Sequence, residues 1–227
     1  MRYSNHETTD CIVLDSSSPP TFAVIWLHGL GADGHDFVPL VPELRLPESL
    51  AIRFVFPHAR LRPVTINNGY VMRAWYDIKA LAIDGVEDEA GIRESENELR
   101  RYIREQHDAG IATSRIVIAG FSQGGAIALH TVLRYPQRLA GVLALSTYLP
   151  LRNTLPSEAS RANKDVPILM CHGSRDPIVP IELGELSRDA LRAQGHDVRW
   201  KTYPMQHEVC AAEISDIAAW LTDRLTV

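Results

Sequence analysis

The sequence predicts an α/β fold with a mainly parallel central sheet and helices on both faces. Three observations carry this expectation. Short runs of apolar, β-branched residues recur along the chain. Helical patterns alternate with them, as βαβ units require. The runs are continuously apolar rather than alternating, which marks strands buried on both faces. With 227 residues, 45% of them hydrophobic, the chain has ample material for one core. The expectation is one domain over residues 1–227, with residues 1–20 as an N-terminal edge segment.

In chain order, Cys11 to Leu14 reads as a short edge strand, and Ser16 to Pro20 as a turn-rich break. Thr21 to Leu27 (TFAVIWL) reads as a fully buried strand running into the loop His28-Gly29-Leu30-Gly31. Asp36 to Leu44 has helical spacing, and Ile52 to Phe56 is the next strand, stopped by Pro57. From there to about Asp88 the pattern is irregular and holds Asn67-Asn68-Gly69 and the pair Trp75-Tyr76. Irregular stretches of this length usually serve function. Glu89 to Ala109 is a long amphipathic helix with Ile92, Leu99, Tyr102 and Ile103 on one face, ended by Gly110. A strand and helix flank Ser122, the helix ending near Tyr135-Pro136. Gly141 to Leu145 is a strand, Ser146 to Asp165 is irregular, and Ile168 to Cys171 is a strand. A helix over Ile181 to Gln194, a strand over Val198 to Tyr203 and a closing helix over Cys210 to Leu225 complete the chain.

Composition removes several function classes. The net charge of −5 offers nothing to a nucleic acid or an acidic membrane surface. No apolar run approaches the ~20 residues of a membrane span. The start, MRYSNHETTD, lacks the order of a signal peptide. Cys11, Cys171 and Cys210 are odd in number and widely spaced, as expected of reduced thiols in a cytoplasmic protein. Cys171 lies in an apolar strand and reads as core. No Cys/His cluster has zinc spacing.

The chemistry centres on Arg115 to Ala128, RIVIAGFSQGGAIA. An apolar strand ends at Gly120, a serine stands at the apex of a tight turn, and a helix follows at once: the layout of a nucleophile elbow. About one chain in a dozen of this length carries Gly-x-Ser-x-Gly by accident of composition. The flanking strand and helix are what make the match informative. Gly124 and Gly125 fit close helix–strand packing.

A serine hydroxyl needs a base, and the base needs an orienting acid. In a parallel sheet the site lies at the carboxyl ends of the strands, so position sorts the candidates. In the order Ser, acid, His, the late histidines are His196 and His207. His196 stands between a helix and the start of a strand, at the wrong end, and reads as a solvated turn residue. His207 follows the strand ending near Tyr203. Asp176 follows the strand ending at Cys171, whereas Asp165 precedes it, and Asp189 and Asp197 follow no strand end. Ser122, Asp176 and His207 thus have both the order and the sheet end. Charge on an oxyanion calls for two backbone N–H donors. Gln123 supplies one at the start of the elbow helix. The glycine-containing loop His28 to Gly31 is placed for the other. His28 and His172, each at a strand end before a glycine, read as structural.

The segments Leu27-His-Gly-Leu-Gly31, Trp75-Tyr-Asp-Ile78, Gly120-Phe-Ser-Gln-Gly-Gly125, Leu145-Ser-Thr-Tyr-Leu-Pro150, His172-Gly-Ser-Arg-Asp176 and the late His207 resemble the phospholipase/carboxylesterase family of α/β-hydrolases. That group includes bacterial carboxylesterases and acyl-protein thioesterases. The likeness runs from about Thr21 to the C-terminus. It implies an α/β-hydrolase fold with no large lid domain and no cofactor. Ser122, Asp176 and His207 would be the triad, with the backbone N–H groups of Leu30 and Gln123 as oxyanion hole. Trp75, Tyr148 and Val179 are the candidate acyl-pocket residues. Tyr148 stands where some relatives carry tryptophan, and Tyr76 where some carry phenylalanine. Several bacterial relatives are dimers, a hint of a homodimer here.

The expected function is therefore a serine carboxylesterase acting on small or lipid-like acyl esters or thioesters of short to medium chain. An acyl-protein thioesterase or lysophospholipase on longer chains, an acyltransferase, and a hydrolase fold kept only for binding are the competing readings. A cysteine-dependent lactone hydrolase is disfavoured because the apex is Ser122. A binding module is disfavoured because all three triad positions are filled.

Overall fold

Five parallel pairings build the centre of the sheet, and every strand in them but the edge strand Val198–Tyr203 comes from an apolar run of the sequence. The computed structural model describes residues 3–79 and 87–226. The strands are β1 (Tyr3–Glu7), β2 (Cys11–Ser16), β3 (Phe22–Leu27), β4 (Ile52–Pro57), β5 (Leu61–Val64), β6 (Tyr70–Arg73), β7 (Ile116–Phe121), β8 (Gly141–Leu145), β9 (Ile168–Gly173) and β10 (Val198–Tyr203). The helices are α1 (Leu40–Glu43), α2 (Glu89–Asp108), α3 (Gln123–Arg134), α4 (Leu155–Glu158), α5 (Ile181–Ala193) and α6 (Ala211–Leu225). Among the described residues the main sheet has eight strands in the order β1-β2-β4-β3-β7-β8-β9-β10, and β5 pairs with β6 in a separate hairpin. Only β1 with β2 and β2 with β4 run antiparallel within the main sheet.

The two-residue period of a strand sorts its side chains to opposite faces. Ala23, Ile25 and Leu27 of β3 join Ile116 and Ile118 of β7 in one apolar layer, which also holds Ile92, Leu99 and Ile103 of α2 and Leu191 of α5. Val24 and Trp26 join Val117 and Ala119 in the other layer, against Ile217, Trp220 and Leu221 of α6. The Val, Ile and Leu side chains among them each contribute roughly 1.5–3 kcal/mol when fully buried. The prediction of helices on both faces holds for this reason. Helix α3 is buried along its whole length and packs directly on β7. It fixes the region where the chemistry is expected.

Four local differences from the sequence reading have physical causes. β1 was not expected, because YSNHE is polar and largely exposed; it is an edge strand held by main-chain pairing to β2. The helix expected over Asp36 to Leu44 shrinks to Leu40–Glu43. Pro39 and Pro42 remove backbone donors there, and the residues before Leu40 are joined by tight-turn bonds such as Val38 N–H to His35 O at 3.2 Å. The irregular stretch after Pro57 contains the β5–β6 hairpin, whose turn uses left-handed Asn68 (φ 55°) and Gly69 (φ 76°). Residues 80–86 of that stretch lie outside the described residues. Within Ser146 to Asp165, α4 and a single turn at Arg161–Asn163 form. Helix α2 begins where Asp88 accepts the Gly91 N–H at 3.2 Å and ends before Gly110 (φ 96°).

Candidate active site

Ser122 stands between β7 and α3 with φ 53° and ψ −121°. A non-glycine residue holds such angles only where its surroundings over-determine them. Here three bonds do so. Ser122 N–H donates to Leu145 O at 2.8 Å, and its carbonyl accepts from Ala126 N–H at 3.1 Å and from the Thr147 hydroxyl at 2.6 Å. The turn is tight enough to exclude side chains beside it. A Cβ on Gly120 would lie 2.3 Å from Gly124 O, and one on Gly124 would lie 2.5 Å from both Leu27 O and His28 O. Gly125 is closed in the same way, by the Thr147 side chain at 2.7 Å. The glycines around Ser122 thus let α3 dock on β3 and β7, as the packing reading expected.

Asp176 lies in the loop after β9 and His207 in the loop after β10, so both reach the carboxyl end of the sheet beside Ser122. The Asp176 carboxylate is buried; its Oδ1 accepts from the N–H groups of Ile178 and Val179, each at 2.9 Å. Its Oδ2 lies 2.7 Å from His207 Nδ1, and His207 Nε2 lies 2.9 Å from Ser122 Oγ. A carboxylate offers only acceptors, so the bond to Oδ2 is donated by Nδ1–H of His207. Nε2 is then the free lone pair facing the serine hydroxyl. The Phe121 ring, 4.7 Å from the imidazole between centroids, packs against it.

Ser122 and His207 open into a cavity of about 500 Å³. Leu30 and Gln123 line it as well, and among the described residues neither backbone N–H has a protein acceptor. The wall beyond is mostly apolar, with Ile66, Ile78, Phe121 and Val179, and carries the phenols of Tyr76 and Tyr148. Of the three candidate acyl-pocket residues, Tyr148 and Val179 are in the wall. Trp75 is not; this expectation is corrected. Its indole is 2% exposed, donates Nε1–H to His28 O at 2.9 Å and belongs to the core. The next residue in this bend, Tyr76, is equally buried but lines the cavity in its place.

The other histidines sort as follows. His28 Nε2 accepts from Ala59 N–H at 3.0 Å while Nδ1 donates to Gly29 O at 2.7 Å, and burial drives its pKa down to about 4. His172 donates Nε2–H to Val179 O at 2.9 Å, and burial lowers its pKa too. Both are structural and neutral, as read from their positions. His196 differs from its reading: it is buried, 7% exposed, rather than a solvated turn residue, although it does stand at the start of β10, far from the carboxyl ends. Cys171 is core, and burial pushes its thiol far above the usual range.

Two contributors escaped the sequence reading. The Gln123 side chain, assigned no part beside its backbone, accepts Trp75 N–H at 2.8 Å and donates to Tyr76 O at 2.6 Å. The Thr147 hydroxyl ties the segment after β8 to the Ser122 carbonyl. The motif Gly-Phe-Ser-Gln-Gly-Gly did display Gln123, but its partners lie nearly fifty residues away, and no local pattern points to them.

A mostly parallel sheet covered by helices on both faces, with a strained serine at a strand–helix turn on its carboxyl edge, defines an α/β-hydrolase. The phospholipase/carboxylesterase family model matches residues 8–224. The chain is 42% identical to acyl-protein thioesterase 1 of Neurospora crassa over 216 residues, 90% of this chain and 87% of that protein. It is 39% identical to acyl-protein thioesterase 1 of Gibberella zeae over 223 residues, 94% and 95% of the two chains. The crystal structure of acyl-protein thioesterase 2 from Zea mays superposes with a TM-score of 0.85 at 30% identity, covering 95% of this chain and 98% of that one. This chain belongs to the phospholipase/carboxylesterase family, and it is a serine hydrolase of the esterase class. No helix among the described residues is long and apolar enough to cross a membrane.

Proposed function

We propose that this protein is a serine carboxylesterase, working as one catalytic domain on short- to medium-chain acyl esters or thioesters. Ser122 is the nucleophile, His207 the general base and acid, and Asp176 the orienting carboxylate. The observation that supports this reading is the unbroken series of hydrogen bonds from Asp176 through His207 to Ser122, opening into an apolar cavity.

In the first half-reaction Nε2 of His207 takes the Ser122 proton as Oγ attacks the acyl carbonyl. The oxyanion is met by the N–H groups of Leu30 and Gln123, the latter at the positive end of α3. The imidazolium, balanced by Asp176, then protonates the departing alcohol or thiol, leaving acyl-Ser122. A water molecule, deprotonated by His207, attacks the ester, and the collapse returns the proton to Oγ and frees the acid.

An acyl-protein thioesterase or lysophospholipase acting on longer acyl chains is the second reading, favoured by the name acyl-protein thioesterase 1 that both fungal relatives carry. The deciding experiment is a rate profile against p-nitrophenyl esters of increasing chain length, with an acyl thioester and a lysophospholipid alongside. A maximum at short to medium chains is expected; rates rising steadily to palmitoyl would favour a long-chain deacylase. Ser122→Ala is expected to lower kcat on the order of 10⁶-fold. Ester hydrolysis by clean Ser122→Ala protein within about tenfold of the parent would sink the mechanism.

A further inference from the structure

The apolar wall of the cavity is broken by two phenols that bond to each other. Tyr76 and Tyr148 both line the cavity that contains Ser122, and their hydroxyl oxygens are 2.8 Å apart. Tyr76 is 2% exposed. Both residues are tied to the elbow through the main chain. The Tyr76 carbonyl accepts from the Gln123 side chain at 2.6 Å, and Tyr148 follows Thr147, whose hydroxyl donates to Ser122 O. The pair is therefore held in a set place relative to the nucleophile.

Two phenols carry two protons. One is spent inside the pair. Among the described residues the other has no acceptor. Burial raises both phenol pKa values, that of Tyr148 to about 12, so both protons stay in place across the range in which an esterase works. Tyr148 is partly exposed to the cavity, so solvent can meet this second proton in the free protein; a hydrocarbon chain that displaces that solvent leaves the donor unpaired, which is costly. A ligand oxygen at that place would satisfy it, and a site built around such a bond discriminates against the analogue that lacks it.

We propose that the Tyr76–Tyr148 hydroxyl pair is a specificity determinant that selects acyl groups carrying an oxygen acceptor within the chain over unsubstituted hydrocarbon chains of equal length. This rests on the esterase reading above and names the acyl class of that same site. The pair donates one O–H to an ether, keto or hydroxyl oxygen of the acyl chain while Ser122 attacks its carbonyl.

The test uses the full-length protein and p-nitrophenyl esters in matched pairs: an alkanoate, and its ether isostere with one methylene beyond the β-carbon replaced by oxygen. The oxygen is walked along the chain, and the readout is the ratio of kcat/KM within each pair. In the parent, one oxygen position is expected to raise kcat/KM about fivefold or more over the alkanoate, as one neutral hydrogen bond would. In Tyr76→Phe/Tyr148→Phe the ratio at that position is expected to fall to about one. Tyr148→Phe alone, expected to lower it partway, carries the test if thermal melting shows that the double variant does not fold. A ratio at or below one for every oxygen position in the parent overturns the proposal, and so does a raised ratio that survives loss of the hydroxyls. Ser122→Ala is run on the same esters. Hydrolysis that persists in it sinks the esterase reading and this proposal together, whereas Ser122-dependent hydrolysis with flat ratios sinks this proposal alone.

Discussion

The Gln123 side chain accepts the backbone N–H of Trp75 at 2.8 Å and, through its other end, donates to the next carbonyl at 2.6 Å. One amide thus joins the first turn of α3 to a loop that supplies part of the cavity wall. The residue after the nucleophile lines the cavity, and its side chain fastens the wall. Gln123 is 2% exposed, so the joint is dry.

Gln123→Ala leaves the Trp75 N–H and the Tyr76 carbonyl buried and unpaired. The expected cost is about 2–4 kcal/mol of folding stability, one to two per orphaned group. Chemical denaturation measures this. The loosened wall is also expected to raise KM for acyl esters while a fluorophosphonate still labels Ser122. A stability change below about 0.5 kcal/mol would show that the amide is dispensable.

Asp176→Asn keeps the shape but cannot remain a pure acceptor. Ile178 and Val179 N–H groups claim Oδ1, so the new NH₂ faces His207 and reverses its tautomer. The proton then sits on Nε2, and Ser122 loses its base. A fall in kcat of roughly 10⁴-fold is expected, with little change in melting temperature. A loss smaller than about tenfold would remove Asp176 from the catalytic scheme.

Gly124→Ala places a methyl 2.5 Å from two carbonyl oxygens of the β3 end. Neither backbone can yield without moving the His28–Gly31 loop off α3. The expected loss is at least about 2 kcal/mol of stability, together with a fall in kcat, because Leu30 moves with that loop. Calorimetry and steady-state rates on the same preparation check both.

Glu213 in the first turn of α6 is fully buried, and desolvation pushes its pKa up to about 8, against a lowering contact from the Cys210 N–H. Its folded pKa is thus above its unfolded one. The sign follows: the folded state holds a proton that the unfolded state releases, so stability from this group is full below about pH 4 and declines as pH rises through 8. Glu213→Gln is expected to flatten this decline, with the variant gaining on the parent by several degrees in Tm at pH 9 relative to pH 5, on the order of 4 °C or more. Parallel Tm–pH curves for parent and variant would contradict the assignment.

Much of the architecture was legible because burial leaves its mark locally. FAVIWL, IVIAG and GVLAL are apolar without a break, the mark of strands covered on both faces. The edge strand β1 and the β5–β6 hairpin were not legible, because edge pairing is made by main-chain atoms and leaves the side chains free to be polar. Asn67-Asn68-Gly69 was the available sign of the hairpin. The helix over Asp36 to Leu44 failed where two prolines outweighed an apolar spacing.

The sequence by itself determined the α/β class and, through the order of strand ends, which serine, aspartate and histidine belong together. Chain direction in a parallel sheet brings every strand's carboxyl end to one edge, so position along the chain already encodes position in space. Only the tertiary structure decided what surrounds them. It moved Trp75 into the core and put Tyr76 in the wall, buried His196, and gave the Gln123 amide its partners and the two phenols each other. These depend on side chains brought together from distant segments at hydrogen-bond distance. A shift of one residue along a segment reverses which way a side chain faces, and the hydrophobic pattern of a loop is too weak to specify that shift.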